Sequence, residues 1–405
     1  MRWPDAWKNP SALDLLKDSV INCLWFDSNR QDLDPVIAAA RQKGITMVGP
    51  GAVPAGVLPV EGTWPGIKLS ASENRDQASS GPTGVPWIDS NGWQIRLQSS
   101  LSPGREIWVN ALPPKSRVFP ASYLIALADA AAHGARWIVS LDPELASGIL
   151  NGDSRSRESW ARIHKALEFF SAVGGGAEFA PVAVMGILSD FSGKNEFLSH
   201  ELLNLIALTQ QQYRIMPKGA VSASSFQGLA AVIYPDETSP EPALRKAVLQ
   251  FVEAGGLLIT GPRWGALPEG RIEREAHPRF TVRSVGRGRM AVADPDFEDP
   301  YLVANDAVIL MSHRHELLRF WNGGSMLSCL SVAPSSKKAL LQMVFYAAAR
   351  YSNQMTVRVA GSYRSARLRT LDRPDPVPLQ AEIRGNAIEL FMPPLSAYAA
   401  VELQG

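Results

Sequence analysis

Over residues 1–177, apolar runs alternate with segments whose apolar residues recur at helical spacing. The apolar runs predict strands at 19–26, 45–49, 66–70, 86–89, 106–110 and 137–142. The helical spacing predicts helices at 33–43, 121–133 and 159–173. Strands alternating with helices form mainly parallel sheets, and a (β/α) barrel is their natural closed form. A complete barrel takes about 250 residues, so this segment predicts an abbreviated TIM-like barrel.

Three consecutive glycines at 174–176 form a linker to a second α/β pattern. Apolar strands at 182–188, 229–235 and 257–262 alternate with helices that begin near Ser199 and Ser239. This β-α-β-α-β order is typical of a flavodoxin-like fold. We therefore predict a flavodoxin-like domain over residues 178–307.

From about residue 308 the pattern changes to strands with period-two alternation, separated by turns rich in glycine, asparagine and proline. This pattern predicts a small C-terminal β-sandwich over residues 308–405. His313 and His315 lie two residues apart and would share one face of a strand. No third ligand has the spacing of a known metal motif, so we predict neither a metal nor another cofactor.

Composition excludes several classes of partner. The 405 residues are 46% hydrophobic and 20% charged, with 40 Lys+Arg against 39 Asp+Glu and a net charge of +1. Such a balance provides no basic surface for nucleic acid or an anionic membrane. No apolar run approaches the roughly 18 residues of a membrane-spanning helix. The first residues lack the apolar segment of a signal peptide, so we expect a cytoplasmic protein or one exported with its leader removed.

Two residue types are distributed informatively. Nine of the 11 tryptophans fall within the first 160 positions, where they either fill a core or provide flat faces for sugar rings. The two cysteines, Cys23 and Cys329, are 306 positions apart and cannot form a disulfide framework or a cysteine zinc site.

Two stretches resemble a known family. FVEAGGLLITGPRWG (251–265) looks like the middle domain of family-42 β-galactosidases, and MPPLSAYAAVEL (392–403) looks like the last strands of a glycosidase β domain. The chain thus resembles barrel glycoside hydrolases of clan A, whose middle domain is similar to class I glutamine amidotransferases and serves in trimer assembly. The resemblance implies a carbohydrate ligand and favours a homo-oligomer. The Asn-Glu pair that ends a barrel strand in that family is not found here.

Candidate site residues are those at strand ends, because parallel strands direct their carboxyl ends to one rim. Glycoside hydrolysis uses two carboxyl groups. We predict as candidate catalytic carboxylates Glu73, Asp89, Asp142 and Glu144, and as candidate sugar-binding residues Asp27, Trp64, Trp87, Trp93 and Asn110. The alternative for each carboxylate is a helix cap or a loop ligand, particularly for Asp142, which precedes a proline.

The segment 82–96 contains two of these tryptophans. Its Asn91-Gly92 pair predicts a tight hairpin that either projects Trp87 or Trp93 over a sugar or covers the end of the barrel.

Glutaminase chemistry is not expected from the second domain. It needs a cysteine on the turn after a strand, and the corresponding turn, ITGPRWG, contains none. Two functions remain open: a glycoside hydrolase-like protein acting through paired carboxylates, or a non-catalytic carbohydrate-binding or assembly relative with a degenerate barrel.

Overall fold

The computed structural model describes residues 1–27, 31–49, 52–68, 87–115, 118–173, 178–274, 276–294, 299–333, 337–347 and 354–405. The candidate Glu73 and the glycine linker at 174–176 lie outside these ranges. The described chain is a mixed α/β structure with several separate sheets.

In the first segment, short strands alternate with helices. The strands are β1 (Cys23–Trp25), β2 (Thr46–Val48), β3 (Val57–Glu61), β4 (Gly66–Lys68), β5 (Trp87–Asp89), β6 (Glu106–Asn110) and β7 (Arg136–Trp137). The helices are α1 (Asp34–Gln42), α2 (Gly92–Leu101), α3 (Pro120–Ala132), α4 (Pro143–Asn151) and α5 (Ser154–Val173).

The parallel strands of this segment form an open layer. β1 pairs with β2, and β6 lies between β3 and β7, all in parallel. Residues 1–3 connect the two groups, because Arg2 N–H donates to the Val139 carbonyl at 2.8 Å and Trp3 N–H to the Trp25 carbonyl at 2.9 Å. No ladder of the described strands joins β2 to β3. This open layer occupies the segment for which the sequence predicted an abbreviated barrel.

The two faces of this layer differ in what covers them. Along β6, Ile107 and Val109 point into the core that α3 and α5 complete, whereas Trp108 points to the inner face. On that inner face Trp25, Val48 and Ile138 form only a small apolar cluster. In a closed barrel further strands would cover it.

The Asn91-Gly92 turn and strand β3 differ from what the sequence predicted. The Asn91-Gly92 hairpin is wrong, because Gly92 begins α2. The Ser90 hydroxyl accepts the Gly92 N–H at 3.0 Å, and the buried Asp129 carboxylate accepts the Asn91 N–H at 2.9 Å, so the turn opens a helix. Strand β3 was not predicted, because Pro59 interrupts its apolar run. The proline is tolerated where β3 pairs with β6 alone.

The second segment contains a seven-stranded sheet. Its strands are β9 (Met185–Ser189), β10 (Tyr213–Pro217), β11 (Ala231–Tyr234), β12 (Leu257–Thr260), β13 (Arg271–Glu273), β14 (Phe280–Val285) and β15 (Gly288–Ala293), and β8 (Ala180–Pro181) precedes them. The order is β10-β9-β11-β12-β15-β14-β13, with the first five strands parallel. Helices α6 (Glu196–Leu208) and α8 (Pro300–Met311) cover one face, and α7 (Pro242–Glu253) covers the other. The predicted strands and helices of this segment are confirmed within a few residues.

The third segment contains two antiparallel sheets. Its strands are β16 (Leu318–Trp321), β17 (Met326–Ala333), β18 (Lys338–Phe345), β19 (Met355–Ala360), β20 (Ser365–Thr370), β21 (Arg373–Pro378), β22 (Ala381–Ile383), β23 (Ala387–Met392) and β24 (Tyr398–Gln404). The orders are β16-β19-β23-β22 and β21-β20-β24-β18-β17-β8, and the two sheets enclose a common apolar core. His313 and His315 do not lie on a strand, because α8 extends to Met311 and these histidines form a 3-10 turn.

The larger antiparallel sheet also packs on the first segment. Tyr398 of β24 contacts Phe169 and Phe170 of α5, with ring centroids 5.7 and 4.9 Å apart. Leu340 and Val344 of β18 join the same core as α3. The first and third segments therefore share a continuous apolar interface.

Candidate functional site

A polar network lies at the carboxyl ends of the parallel strands in the first segment. Asp27 follows β1, Glu61 ends β3, Asn110 ends β6 and Ser140 follows β7. Arg2 lies on the segment that connects β1 to the β7 side. We call these five residues the Arg2 rim. Parallel strands direct their carboxyl ends to one edge, which brings residues distant in sequence together.

The guanidinium of Arg2 organises the rim. It forms an ion pair with Asp27, donates to Asn110 Oδ1 at 2.5 Å and donates to the Ser140 hydroxyl at 3.3 Å. Asn110 Nδ2 in turn donates to Glu61 Oε1 at 2.7 Å. One cation thus links residues from four strands.

The Arg2 side chain is more buried than the two carboxylates of the rim. The Arg2 side chain is 11% exposed, whereas that of Asp27 is 54% exposed and Glu61 is also exposed. Burial lowers the pKa of the Arg2 guanidinium, and the Glu61 carboxylate opposes that shift. The rim therefore presents acceptor oxygens to solvent over a buried positive charge. Such oxygens can accept hydrogen bonds from sugar hydroxyls.

The predicted carboxylates have different surroundings. Asp142 Oδ1 accepts the backbone N–H groups of Glu144 and Leu145, each at 3.0 Å, and Asp142 Oδ2 accepts the Tyr123 hydroxyl at 2.8 Å. Asp142 thus has the helix-capping contacts that the sequence left as its alternative. Glu144 is exposed in the first turn of α4. Asp89 ends β5 opposite Gly66. No hydrogen bond or ion pair of the described residues joins Asp89 to Asp142 or Glu144.

The predicted tryptophans also separate. Trp64 is partly exposed and packs edge-on against Tyr123 and Trp137, with both centroid distances 5.3 Å. Trp93 lies against His200 of α6 at 5.0 Å, in the contact between the first and second segments. The side chain of Trp87 lies outside the described part of the structure. The structure therefore does not join Trp64 and Trp93 into one surface.

A cavity of about 730 Å³ lies at the opposite end of the layer, where its strands begin. Trp25 and Trp108 line it from the inner face, Trp137 lines it from the core face, and Cys329 and Gln342 of the C-terminal sheet also line it. The exposed residues Glu106 and Arg136, which form an ion pair, lie at its edge. These tryptophans thus border a cavity, although Trp25 and Trp137 are also buried among core residues.

A second polar cluster lies at the carboxyl ends of the middle sheet. Lys218 forms an ion pair with Asp236 and lies 3.5 Å from Asp190. The Ser189 hydroxyl donates to Asp236 at 2.5 Å. The Asp236 side chain is fully buried, and that of Lys218 is 21% exposed. In this cluster the two carboxylates are therefore neutralised by the Lys218 ammonium.

Sequence reasoning missed Arg2, Glu61 and Ser140. Glu61 ends the apolar run VLPVE, so a search for polar residues at strand ends would have found it if Pro59 had been accepted in an edge strand. No pattern identifies Arg2, because it follows no predicted strand.

No described group of three or more His, Cys, Asp or Glu side chains is arranged to hold a metal ion. Among the described helices, none combines the length and apolar character needed to cross a membrane.

Comparison with known proteins gives a structural likeness. No family model and no curated sequence matches the chain. α-L-Fucosidase isoenzyme 2 from Paenibacillus thiaminolyticus is similar with a TM-score of 0.58 and 12% identity, over 98% of this chain and 80% of that one. The β-galactosidase from Bacillus circulans sp. alkalophilus is similar with a TM-score of 0.53 and 12% identity, over 92% of this chain and 66% of that one. Gan42B, a GH42 β-galactosidase from G. stearothermophilus, is similar with a TM-score of 0.51 and 12% identity, over 95% of this chain and 64% of that one.

These neighbours define the class of fold. The chain has the barrel-type α/β fold of glycoside hydrolases, as the resemblance implied. It spans slightly less than two thirds of the length of the two β-galactosidases.

Proposed function

We propose that this protein is glycoside hydrolase-like and acts on an oligosaccharide or glycoside at the Arg2 rim. The observation that carries the proposal is that two exposed carboxylates, Asp27 directly and Glu61 through Asn110, are linked to one largely buried arginine at the carboxyl ends of parallel strands. In barrel enzymes this end of the strands carries the active site. The fold shared with glycoside hydrolases supports a carbohydrate as the ligand.

The two carboxylates have different partners, which suggests different roles. Asp27 forms an ion pair with the Arg2 guanidinium, an arrangement that suits a nucleophile or a group that stabilises an oxocarbenium-like transition state. Glu61 accepts only the neutral Asn110 amide among its described hydrogen bonds, so we assign it the acid/base role. Trp64, three residues after Glu61 and partly exposed, is the tryptophan that we assign to the apolar side of the site.

The alternative is a carbohydrate-binding relative without catalysis. One observation favours it: Asp142, which was predicted as a catalytic residue at a strand end, lies beyond β7, where it caps α4 and accepts the Tyr123 hydroxyl. A rim that retains Asp27, Asn110 and Glu61 can bind hydroxyl groups without supplying an acid and a nucleophile.

We further propose three domains, predicted as 1–177, 178–307 and 308–405, the second boundary falling within α8 (Pro300–Met311), which packs on the middle sheet. The parallel order β10-β9-β11-β12-β15 corresponds to the 2-1-3-4-5 order of a flavodoxin-like domain and supports that assignment. The two facing antiparallel sheets support a C-terminal β-sandwich. The middle domain exposes Phe197 of α6 and Leu302 and Ile309 of α8, which supports assembly into a homo-oligomer through this face. Light scattering tests that assembly, and a 44 kDa monomer at all micromolar concentrations would contradict it.

Hydrolysis of an aryl-glycoside panel tests the catalytic proposal. We expect the protein to hydrolyse at least one substrate, and Asp27→Asn and Glu61→Gln each to reduce kcat/KM by about 100-fold or more. Glu158→Gln, at an exposed carboxylate on α5 that is not a candidate site residue, is the matched control and should retain activity. Binding without hydrolysis would select the non-catalytic alternative.

A further inference from the structure

The cavity where the strands of the first segment begin has no part in the proposed function. Its volume of about 730 Å³ lies within the roughly 300–1,000 Å³ of sites for small organic molecules. The exposed residues Val20 and Glu106 are among those that line it, so a molecule can enter from solvent. Because the Arg2 rim lies at the other end of the strands, a ligand here would be independent of one at the rim.

Most of the residues that line the cavity are apolar. Trp108 lines it from the inner face of the first layer, Leu167 and Phe170 line it from α5, and Val182 lines it just after β8. Each of these four residues is only half-buried. An apolar molecule in the cavity would remove their remaining surface from water, which favours its binding.

The two glutamines at the cavity already use their oxygens within the protein. Gln342 Oε1 accepts the Tyr398 hydroxyl at 2.8 Å. Gln212 Oε1 accepts the Leu330 N–H at 2.9 Å, and Gln212 Nε2 donates to the Ser328 carbonyl at 3.2 Å. These side chains therefore favour a ligand that accepts hydrogen bonds over one that donates them.

The charged side chains at the cavity leave one cation without an acidic partner. Arg136 forms an ion pair with Glu106, and His133 Nδ1 lies 3.9 Å from the carboxylate of Asp129. Arg96 of α2 also lines the cavity, but it forms no ion pair with an acidic side chain in the described part of the chain. The uncompensated positive charge favours an anionic ligand.

Arg96 is held in place and retains donors for such a ligand. Its guanidinium lies 3.7 Å from the centre of the Tyr213 ring, and one of its N–H groups donates to the Tyr213 carbonyl. A guanidinium has five N–H donors in a planar fork, and no second acceptor is found for this one among the described residues. Because the contacts to Tyr213 already fix the side chain, it can bind both oxygens of a carboxylate with little further loss of freedom.

We propose that this cavity binds a small organic acid, with its carboxylate on Arg96 and its apolar body along the half-buried apolar wall. The wall contributes the same contact area to a neutral molecule of the same shape. The carboxylate adds charge-assisted hydrogen bonds in surroundings with little competing water. The charge of the ligand is therefore what distinguishes this site from a merely apolar cavity.

Calorimetric titration of the full-length protein with octanoate and with octanol tests the proposal without any variant. The two molecules have apolar chains of the same length, and only octanoate has the charge that Arg96 binds. We expect octanoate to bind at one site and at least about tenfold more tightly than octanol, because hydrogen bonds to charged groups contribute more than neutral ones. Equal affinities for the two molecules, or no binding of octanoate, would overturn the proposal.

Substitution of the arginine tests which cation holds the carboxylate. Arg96→Met should lower the affinity for octanoate about tenfold, to that of octanol, and leave the affinity for octanol unchanged. Arg214→Met is the matched control, because Arg214 also donates to a backbone carbonyl, that of Ser225 at 2.7 Å, and lies outside the described lining of the cavity. It should retain both affinities. Unchanged octanoate binding in a folded Arg96→Met variant would contradict the role of Arg96.

Filling the cavity tests the location independently of Arg96. Ala131, near the end of α3, is half-buried and lines the cavity, so Ala131→Trp places a large side chain there. We expect it to weaken binding of both octanoate and octanol about tenfold or more, because it takes the space of the apolar body. Ala254→Trp, at an exposed position after α7, is the control and should bind both molecules normally. Normal binding by a folded Ala131→Trp variant would refute the assignment to this cavity.

Discussion

Two parallel sheets in this protein end in polar clusters, and the clusters are built in opposite ways. At the Arg2 rim the cation is buried and the carboxylate of Asp27 is 54% exposed. At the middle sheet the carboxylate of Asp236 is fully buried and Lys218 lies nearer to solvent. In the first arrangement carboxylate oxygens remain accessible to a ligand. In the second they are paired with Lys218 inside the protein. The same topological position is thus open to solvent in one sheet and internally paired in the other.

The neighbours of each cluster explain this difference. Asp236 also accepts the Ser189 hydroxyl, and the Lys218 ammonium lies 5.2 Å from the Tyr234 ring. At the Arg2 rim, Asn110 and Ser140 occupy the inner side of the guanidinium, so the outer oxygens of Asp27 and Glu61 face outward.

The largest effect on stability is expected at the middle sheet. Asp236→Ala leaves the partly buried Lys218 and the Ser189 hydroxyl without their partner, and we expect a loss of about 3 kcal/mol in the free energy of unfolding. Urea denaturation measures it. Asp190→Asn, at a half-exposed side chain of the same cluster, is the control and should cost less than about 1 kcal/mol. Equal losses in the two variants would contradict the distinction between a buried and a peripheral carboxylate.

A smaller loss is expected from Arg2→Met at the rim. The substitution removes charge-assisted hydrogen bonds to Asn110 and Ser140, but Asp27 stays hydrated, so we expect about 2 kcal/mol. Thermal and urea unfolding measure the change, with Arg41→Met on the exposed side of α1 as control. A loss no greater than in that control would show that Arg2 does not organise the rim.

The smallest loss is expected from Asp142→Ala. Loss of the helix cap should cost about 1 kcal/mol, and Asp142→Ser, which can still cap α4, should restore most of it. Under the proposed function neither variant abolishes hydrolysis, since Asp142 serves the helix. If both variants lack activity and remain folded, Asp142 belongs to the catalytic pair after all.

How far the sequence predicts this molecule depends on the kind of signal. The apolar runs of β9, β11 and β12 and the helical stripe of α7 are local, and they predicted the middle sheet closely. The start of α2 at Gly92 depends on Asp129, which is 38 residues from Asn91. The turn preferences of Asn-Gly reflect only neighbouring residues and cannot predict that contact. Arg2 joins the rim only through tertiary pairing with Val139 and Trp25. The sequence left Asp142 as either a catalytic carboxylate or a helix cap. The hydrogen bonds that it accepts from backbone N–H groups of α4 support the helix cap.

Calorimetric titration of an oligosaccharide panel tests most directly whether the Arg2 rim is the site of recognition. The protein and its Asp27→Asn/Glu61→Gln double variant are compared after both are shown to be folded. We predict that the protein binds at least one glycan and that the double variant loses about tenfold or more in affinity, since each buried or oriented acceptor is worth about 1 kcal/mol or more in a hydrogen-bonded complex. Equal binding by the protein and the double variant, or no glycan bound by the protein itself, would contradict the account.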